Sequence, residues 1–197
     1  LYMITHAVQQ ADSRHLRTLA EPNAVTYSDS MIADLNAGIN ITDTLEQLLI
    51  STDGRIDKFD IIADRMMADY VRSIQVAPGG IVTDIYPAEG NEAGKIDLIH
   101  DKYRGETVNY SIANDVLIIH GPFELEQGGH VLSIRNPVFL QDEKGTPYFW
   151  GMTMVIINVP DIFQHSADAL TNFGYQYRLS KTISPLTDEY TVVDQSE

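Results

Sequence analysis

The chain has no cysteine among its 197 residues, one tryptophan, and only 13 lysines and arginines against 28 acidic residues, a formal charge of -15. Without thiols there is no disulfide framework, no thiolate metal site and no cysteine nucleophile. With so few cations, a protein that tracks nucleic-acid phosphates is excluded, because such binding needs a basic face. No run of 18 or more apolar residues is present, so nothing in the sequence reads as a membrane-spanning helix, and no basic segment leads into a short apolar one as in a signal peptide. What is present is ample apolar material: 44% of residues are hydrophobic, and they recur periodically, which argues against disorder. A chain of this length buries roughly 70% of its unfolded surface and supports a real core. The absence of thiols is neutral about the redox compartment. The start at Leu1, without a Met and inside a helical pattern, gives the expectation of a piece excised from a longer protein.

Apolar residues at Leu1, Ile4, Val8 and Ala11 alternate three- and four-residue steps, as a helix seam does. His15 and Thr18 break the pattern after two heptads, so a coiled-coil seam and a face packed on the domain both remain open. Glu21-Pro22-Asn23 predicts the end of this helix, because proline disfavours helical geometry in the residue before it. Further helices are expected over about Ser28 to Ala37 and Asp43 to Ile50. The widest apolar stripe, Phe59, Ile62, Ala63, Met66, Met67, Tyr70, Val71 and Ile74, predicts a helix from Ile56 to Ile74 with Asp57 as its cap. Met66-Met67 reads as core filler.

The period then changes to two. Ile74 to Ala77 and Ile81 to Tyr86 flank Pro78-Gly79-Gly80 and predict a hairpin, Pro and Gly suiting the centre of a type II turn. Pro87 to Gly94 is a loop. A helix is expected over Glu106 to Asp115, then strands over Pro122 to Glu126, His130 to Leu140 and Pro147 to Val159. The last is apolar on both faces, which marks a central strand with a layer on each side. Pro160 opens a helix to about Asn172, Tyr175 to Ser180 is a strand, and Thr191 to Val193 is a partner for it. Helices first and an interrupted antiparallel sheet after give an α+β order rather than βα alternation. There is no internal repeat and no low-complexity tract.

Motifs that carry chemistry are scarce. None of the six histidines, His6, His15, His100, His120, His130 and His165, lies four residues from another, and no His-Glu-x-x-His occurs. Neither a Gly-x-Ser-x-Gly elbow nor a phosphate loop is present. Glu124 and Glu126 are two apart on an expected strand and share a face; a shared proton or cation and a solvated sheet edge are both open readings. Asn40-Ile41-Thr42 and Asn109-Tyr110-Ser111 match the glycosylation sequon, a pattern short enough to arise by chance. The expectation is a chain with no catalytic residues, no metal and no cofactor.

Several stretches taken in order resemble a known family. They are Phe59 to Ile74; Ala77-Pro78-Gly79-Gly80-Ile81-Val82; Ile85-Tyr86-Pro87-Ala88-Glu89-Gly90-Asn91-Glu92; and Gly94-Lys95-Ile96-Asp97-Leu98. Further on stand Gly121-Pro122-Phe123-Glu124-Leu125, Gln127-Gly128-Gly129, Arg135-Asn136-Pro137-Val138-Phe139 and Phe149-Trp150-Gly151. From about residue 45 to 180 this series resembles the CHASE domains, extracytoplasmic sensor domains of membrane receptors. The resemblance implies a long N-terminal helix rising from a transmembrane segment and one or two PAS-like lobes. It also implies a cytoplasmic output such as a histidine kinase or diguanylate cyclase. In plant cytokinin receptors the domain binds an adenine-type hormone. The corresponding organisation here is a helical stalk over 1–55 and a PAS-like ligand-sensing lobe over 56–197. Thr182 to Glu197 is polar and then stops where such domains continue, so the membrane-proximal lobe is expected to be truncated or reduced.

In such a lobe a small-molecule site is lined by the inner sheet face with a few converging polar groups. Val131, Ser133 and Arg135 share one strand face. Arg135 presents a five-donor fork suited to a carboxylate or phosphate, or else pairs with an internal acid such as Asp97. Asp97 falls where cytokinin-binding members place an acid facing the hormone, and capping a turn is its alternative role. His120 and Tyr148 complete the ligand-binding set of Asp97, Arg135, Ser133, His120 and Tyr148. Tyr86, Trp150 and Tyr110 are either aromatic walls or core. The expected function is extracytoplasmic small-molecule sensing by a membrane-anchored receptor that dimerises through its N-terminal helix. The alternatives are a secreted hydrolase with an acidic site begun by Glu124 and Glu126, and a structural ectodomain without a pocket.

Overall fold

A computed structural model of the chain describes residues 2–88, 94, 96–124 and 128–196, with residues 2–24 as backbone only. The apolar seam from Leu1 to Ala11, most of the loop from Pro87 to Gly94, and Glu126 lie outside the residues whose side chains are described.

One helix, α1 (Tyr2–Ser51), replaces the three expected in the first fifty residues; its 50 residues span about 75 Å. It runs on through Pro22. Proline removes one hydrogen bond and biases the preceding residue away from helix, at about 3 kcal/mol, and a long helix docked along its second half carries that cost. Met31, Ile41, Leu45 and Leu49 are buried there in one core with Ile74, Leu132, Ile134, Val155 and Ile157 of the sheet. Gly38 lets the helix come close: a Cβ at that position would stand 3.0 Å from Ile134 Cδ1. The Thr153 hydroxyl donates to the Thr42 carbonyl at 3.0 Å, and Asn136 Nδ2 donates to Glu46 Oε2 at 2.8 Å. The turn after the helix closes at Gly54, whose φ of 80° an L side chain rarely adopts and whose N–H donates to the Leu49 carbonyl at 2.8 Å.

The helix expected from Ile56 to Ile74 is really two elements. Helix α2 (Phe59–Met66) stops where Met67 turns extended, and strand β1 (Val71–Pro78) follows. Val71 and Ile74 fit a three-residue helical step and also a strand buried on both faces, so periodicity alone did not separate the two. Lys58, in the left-handed region, takes the capping position assigned to Asp57, with no side-chain cap.

The turn and the pairing of the hairpin are as expected, but its second strand begins at Asp84 and not at Ile81, which bridges to Asp97. Strand β2 (Asp84–Tyr86) pairs with β1, Gly79 has a φ of 61°, and the Gly80 N–H donates to the Ala77 carbonyl at 3.0 Å. Helix α3 (Gly105–Asn114) matches its expected span. Strand β3 (Ile118–Glu124) starts four residues before the sequence suggested, and β4 (His130–Gln141) and β5 (Pro147–Val159) follow. A short 3-10 turn (Asp161–Phe163) leads into α4 (Gln164–Asn172), and β6 (Arg178–Thr182) and β7 (Tyr190–Gln195) form a separate two-stranded sheet.

The main sheet is antiparallel with order β2-β1-β5-β4-β3. The fold is α+β, a long helix followed by a PAS-like sheet with flanking helices, and β5 is central as its two apolar faces predicted. Side chains in one register row share a face, so successive rows alternate between the two layers. Ile74, Val155, Ile134 and Ile119 form a row toward α1. Toward α3 and the segment before it, Ala77, Met152 and Met154 pack with Val82, Ile85, Leu98 and Val108 in a second, smaller core.

Candidate functional site

The face turned away from α1 is apolar at one end only. Beyond the row of Ala77 and Met152 come two register rows of another character. One holds Gln75, Met154, Arg135 and Ile118, the other Ser73, Ile156, Ser133 and His120. Ser73, Gln75, Ser133 and Arg135 are all buried. Four buried polar side chains in adjacent rows of a sheet interior need partners, because an unsatisfied buried group costs about 1–3 kcal/mol. Gln75 and Ser73 satisfy each other, the amide donating to the hydroxyl at 2.9 Å. Ser133 and Arg135 do not. The Ser133 hydroxyl and the Arg135 Nε are buried with no hydrogen-bond partner among the described residues.

Arg135 is 3% exposed. Its one hydrogen bond among the described residues runs from Nη1 to His120 Nδ1 at 3.2 Å. A guanidinium only donates, so Nδ1 accepts and the imidazole proton sits on Nε2. Burial, and then the charge of Arg104, pull the Arg135 pKa down to about 10, with Asp101 opposing. His120 is pulled further, to about 4, first by burial and then by the charges of Arg135, Lys181 and Arg104, again with Asp101 opposing. Three cations therefore converge on one neutral imidazole in a chain with more than twice as many acids as bases. The single acid in this balance, Asp101, is committed elsewhere. Its Oδ1 accepts the N–H groups of Tyr103 and Arg104 at 2.8 Å ahead of α3, and Oδ2 lies 3.5 Å from Arg104 Nη1. Burial pushes its carboxyl up, and those N–H groups and the nearby arginines outweigh that and hold it below the usual range.

Three of the five residues expected from sequence, Arg135, Ser133 and His120, are thus brought together. The other two stand apart. Asp97 caps the turn that follows it: Oδ1 accepts from the Ile99 and His100 N–H groups at 3.1 Å, and Oδ2 meets His100 Nδ1 at 2.8 Å. The His100 backbone and ring lower its pKa, and no hydrogen bond or ion pair joins it to Arg135 among the described residues. Tyr148 is 44% exposed and pairs with Leu140, five residues along β4 from Arg135, about 16 Å. Trp150 and Tyr86 pack against the α1-side core. Glu124 is exposed at the end of β3. Sequence reasoning missed Gln75, Ser73, Arg104, Asp101 and Lys181. A lone amide in the apolar run Ile74-Gln75-Val76 was the one local signal. The others reach the site through tertiary folding, from the turn before α3 and from β6.

Two openings are lined chiefly by residues of the α1-side core and of β6. A groove of about 550 Å³ runs between Met31, Leu35, Phe163, Leu170, Tyr175 and Tyr177, and one of about 410 Å³ between Leu117, Ile119, Leu132, Leu179, Lys181 and Val193. Their walls are largely apolar, with Ser28, Gln176 and Arg178 among the residues lining the first and Ser180, Lys181, Thr182 and Ser184 among those lining the second. Among the described residues no group of three or more His, Asp or Glu side chains is arranged to hold a metal ion, and no helix is long and apolar enough to cross a membrane.

The sequence matches no family model and no curated protein. Among solved structures it is similar to an extracellular ligand binding receptor from Desulfohalobium retbaense DSM5692, with a TM-score of 0.57 and 15% identity. The match covers 74% of this chain and 26% of that one, so the chain corresponds to about a quarter of the receptor's length. At this identity the likeness is one of fold.

Proposed function

We propose that this chain is a ligand-sensing domain of a membrane-anchored receptor, extracytoplasmic and of the CHASE type. Its site is the α3-side face of the sheet around Arg135, Ser133 and His120. The observation that carries this reading is the buried Arg135, a full charge with, among the described residues, no acid paired to it and no partner for its Nε. An uncompensated buried charge is destabilising by several kcal/mol, and a fold keeps one where it does work on something that arrives from outside. The likeness to an extracellular ligand binding receptor supports the same class.

In this reading the domain itself is not an enzyme. Occupancy of the face biases the packing of the lobe against α1, and α1 carries the bias toward a cytoplasmic histidine kinase or diguanylate cyclase. A ligand shifts such an equilibrium only by its differential affinity for the two states. Receptors of this kind work as dimers, and the reading assigns dimerisation to the N-terminal helix.

The test is a thermal-shift screen of amino acids, organic acids and purines on the wild type and Arg135→Ala. A compound that stabilises the wild type and loses its effect in the variant supports the reading. A compound that stabilises both equally overturns the site, and a screen with no stabiliser favours a structural ectodomain.

A further inference from the structure

The chemistry around Arg135 also defines what the face takes. We propose that it binds a small organic carboxylate, held side-on by the Nε and Nη2 edge of the Arg135 guanidinium with the Ser133 hydroxyl as a further donor. This rests on the sensor reading of the same face and adds the ligand's chemical class to it.

Arg135 Nη1 is occupied by His120 Nδ1. The opposite edge of the guanidinium plane, Nε with Nη2, carries two parallel N–H groups with no acceptor among the described residues. Two parallel donors in one plane match the two oxygens of a carboxylate, the geometry for which arginine is favoured over lysine. Ser133 stands two residues along β4 on the same face, about 7 Å away along the strand, and its hydroxyl is likewise buried and unpartnered. Both orphaned atoms are donors to an anion, and no other fully buried side-chain polar atom among the described residues lacks a partner.

Charge and surroundings narrow the class. Arg135, Arg104 and Lys181 act together on His120, with Asp101 as the one opposing acid, so a single negative charge is welcome there and a positive one is not. His120 has its accepting nitrogen turned to Arg135, so its remaining ring nitrogen, Nε2–H, is again a donor. The rows are completed by Met154, Ile118 and Ile156. These apolar neighbours give an organic tail a place to pack and make the desolvation of a doubly charged phosphate expensive.

The experiment titrates the 197-residue chain with acetate, pyruvate, lactate, succinate and benzoate, each beside its amide, and with inorganic phosphate, by calorimetry and thermal shift. Wild type, Arg135→Met, Arg135→Lys, Ser133→Ala and Asp97→Ala are compared. The expected result is saturable binding of at least one carboxylate and none of its amide. It weakens about a hundredfold in Arg135→Met, less in Arg135→Lys and Ser133→Ala, and is unchanged in Asp97→Ala. Circular dichroism of each variant establishes that it is folded, and Arg135→Lys keeps the charge if Arg135→Met is not. Binding of phosphate or of an amide in place of every carboxylate overturns the carboxylate class and leaves the sensor reading standing. Carboxylate binding that survives in Arg135→Met overturns the assigned site. No binding of any probe here, with a purine or amine emerging from the broader screen, overturns this inference alone; silence in both experiments overturns both.

Discussion

Arg135 Nη1 and His120 Nδ1 meet at 3.2 Å across adjacent strands, a cation donating to an imidazole that burial, and then the neighbouring cations, hold in its neutral form. The pair is asymmetric. His120 satisfies one of five guanidinium hydrogens and none of its charge, so it orients the fork without neutralising it. An acid in its place would quench the site; an apolar residue would leave the guanidinium free to rotate.

The pair sets a pH dependence. His120 titrates near 4 in the folded protein, against about 6.5 in an unfolded chain. The unfolded state therefore binds more protons between these values, and this contribution to stability is complete above about pH 6.5 and is lost as pH falls toward 4. After allowance for solvent screening of this half-buried group, the effect amounts to about 2 kcal/mol. Urea denaturation of wild type and His120→Gln at a series of pH values measures it. The difference between the two proteins should change across this window, because the carboxylates that also titrate at its acid end are common to both.

Arg135 itself should be a liability to the fold. Replacing it with methionine, of similar length and without charge, removes the uncompensated cation and leaves only the His120 Nδ1 without its donor. The variant should be more stable than wild type by about 1 kcal/mol or more, seen as a higher urea midpoint with an unchanged slope. A less stable Arg135→Met would mean that the guanidinium is already well satisfied in the unliganded protein.

Much of the fold was legible because its signals are local. Pro78-Gly79-Gly80 forces a turn whatever surrounds it, and Tyr148 to Val159, apolar on both faces, has to be the strand between two layers. The errors came where two local rules coincide or a long-range contact overrules one. Val71 and Ile74 satisfy helix and strand spacing together, and Pro22 is a breaker that the docking of Met31 to Leu49 against the sheet overrides. At the site, Ser133 and Arg135 were legible from strand alternation. Arg104, Asp101 and Lys181 were not, because their closeness to His120 is set by how α3 and β6 pack and not by spacing along the chain.

The packing of α1 on the sheet should hold a large share of the stability. Leu45 is fully buried in the shared core. Leu45→Ala should cost about 3 kcal/mol, whereas Ile32→Ala, on the exposed face of the same helix, should cost under about 0.5 kcal/mol. Thermal denaturation of the two variants separates a docked helix from a free stalk over this stretch; equal, small effects would contradict the docking.

Gly54 joins the end of α1 to the sheet and offers a local test with its own reporter. Its φ of 80° is strained for any L side chain, and a Cβ there would run into the Trp150 indole. The left-handed geometry alone costs an alanine about 1–2 kcal/mol, and the clash adds to it, because the Leu140 methyl also stands 3.1 Å from the added Cβ. Gly54→Ala should therefore lose about 2 kcal/mol or more. Since Trp150 is the only tryptophan, its emission should shift in the folded variant, independently of the stability measurement. An unshifted spectrum with unchanged stability would mean that the helix end does not sit against the ring.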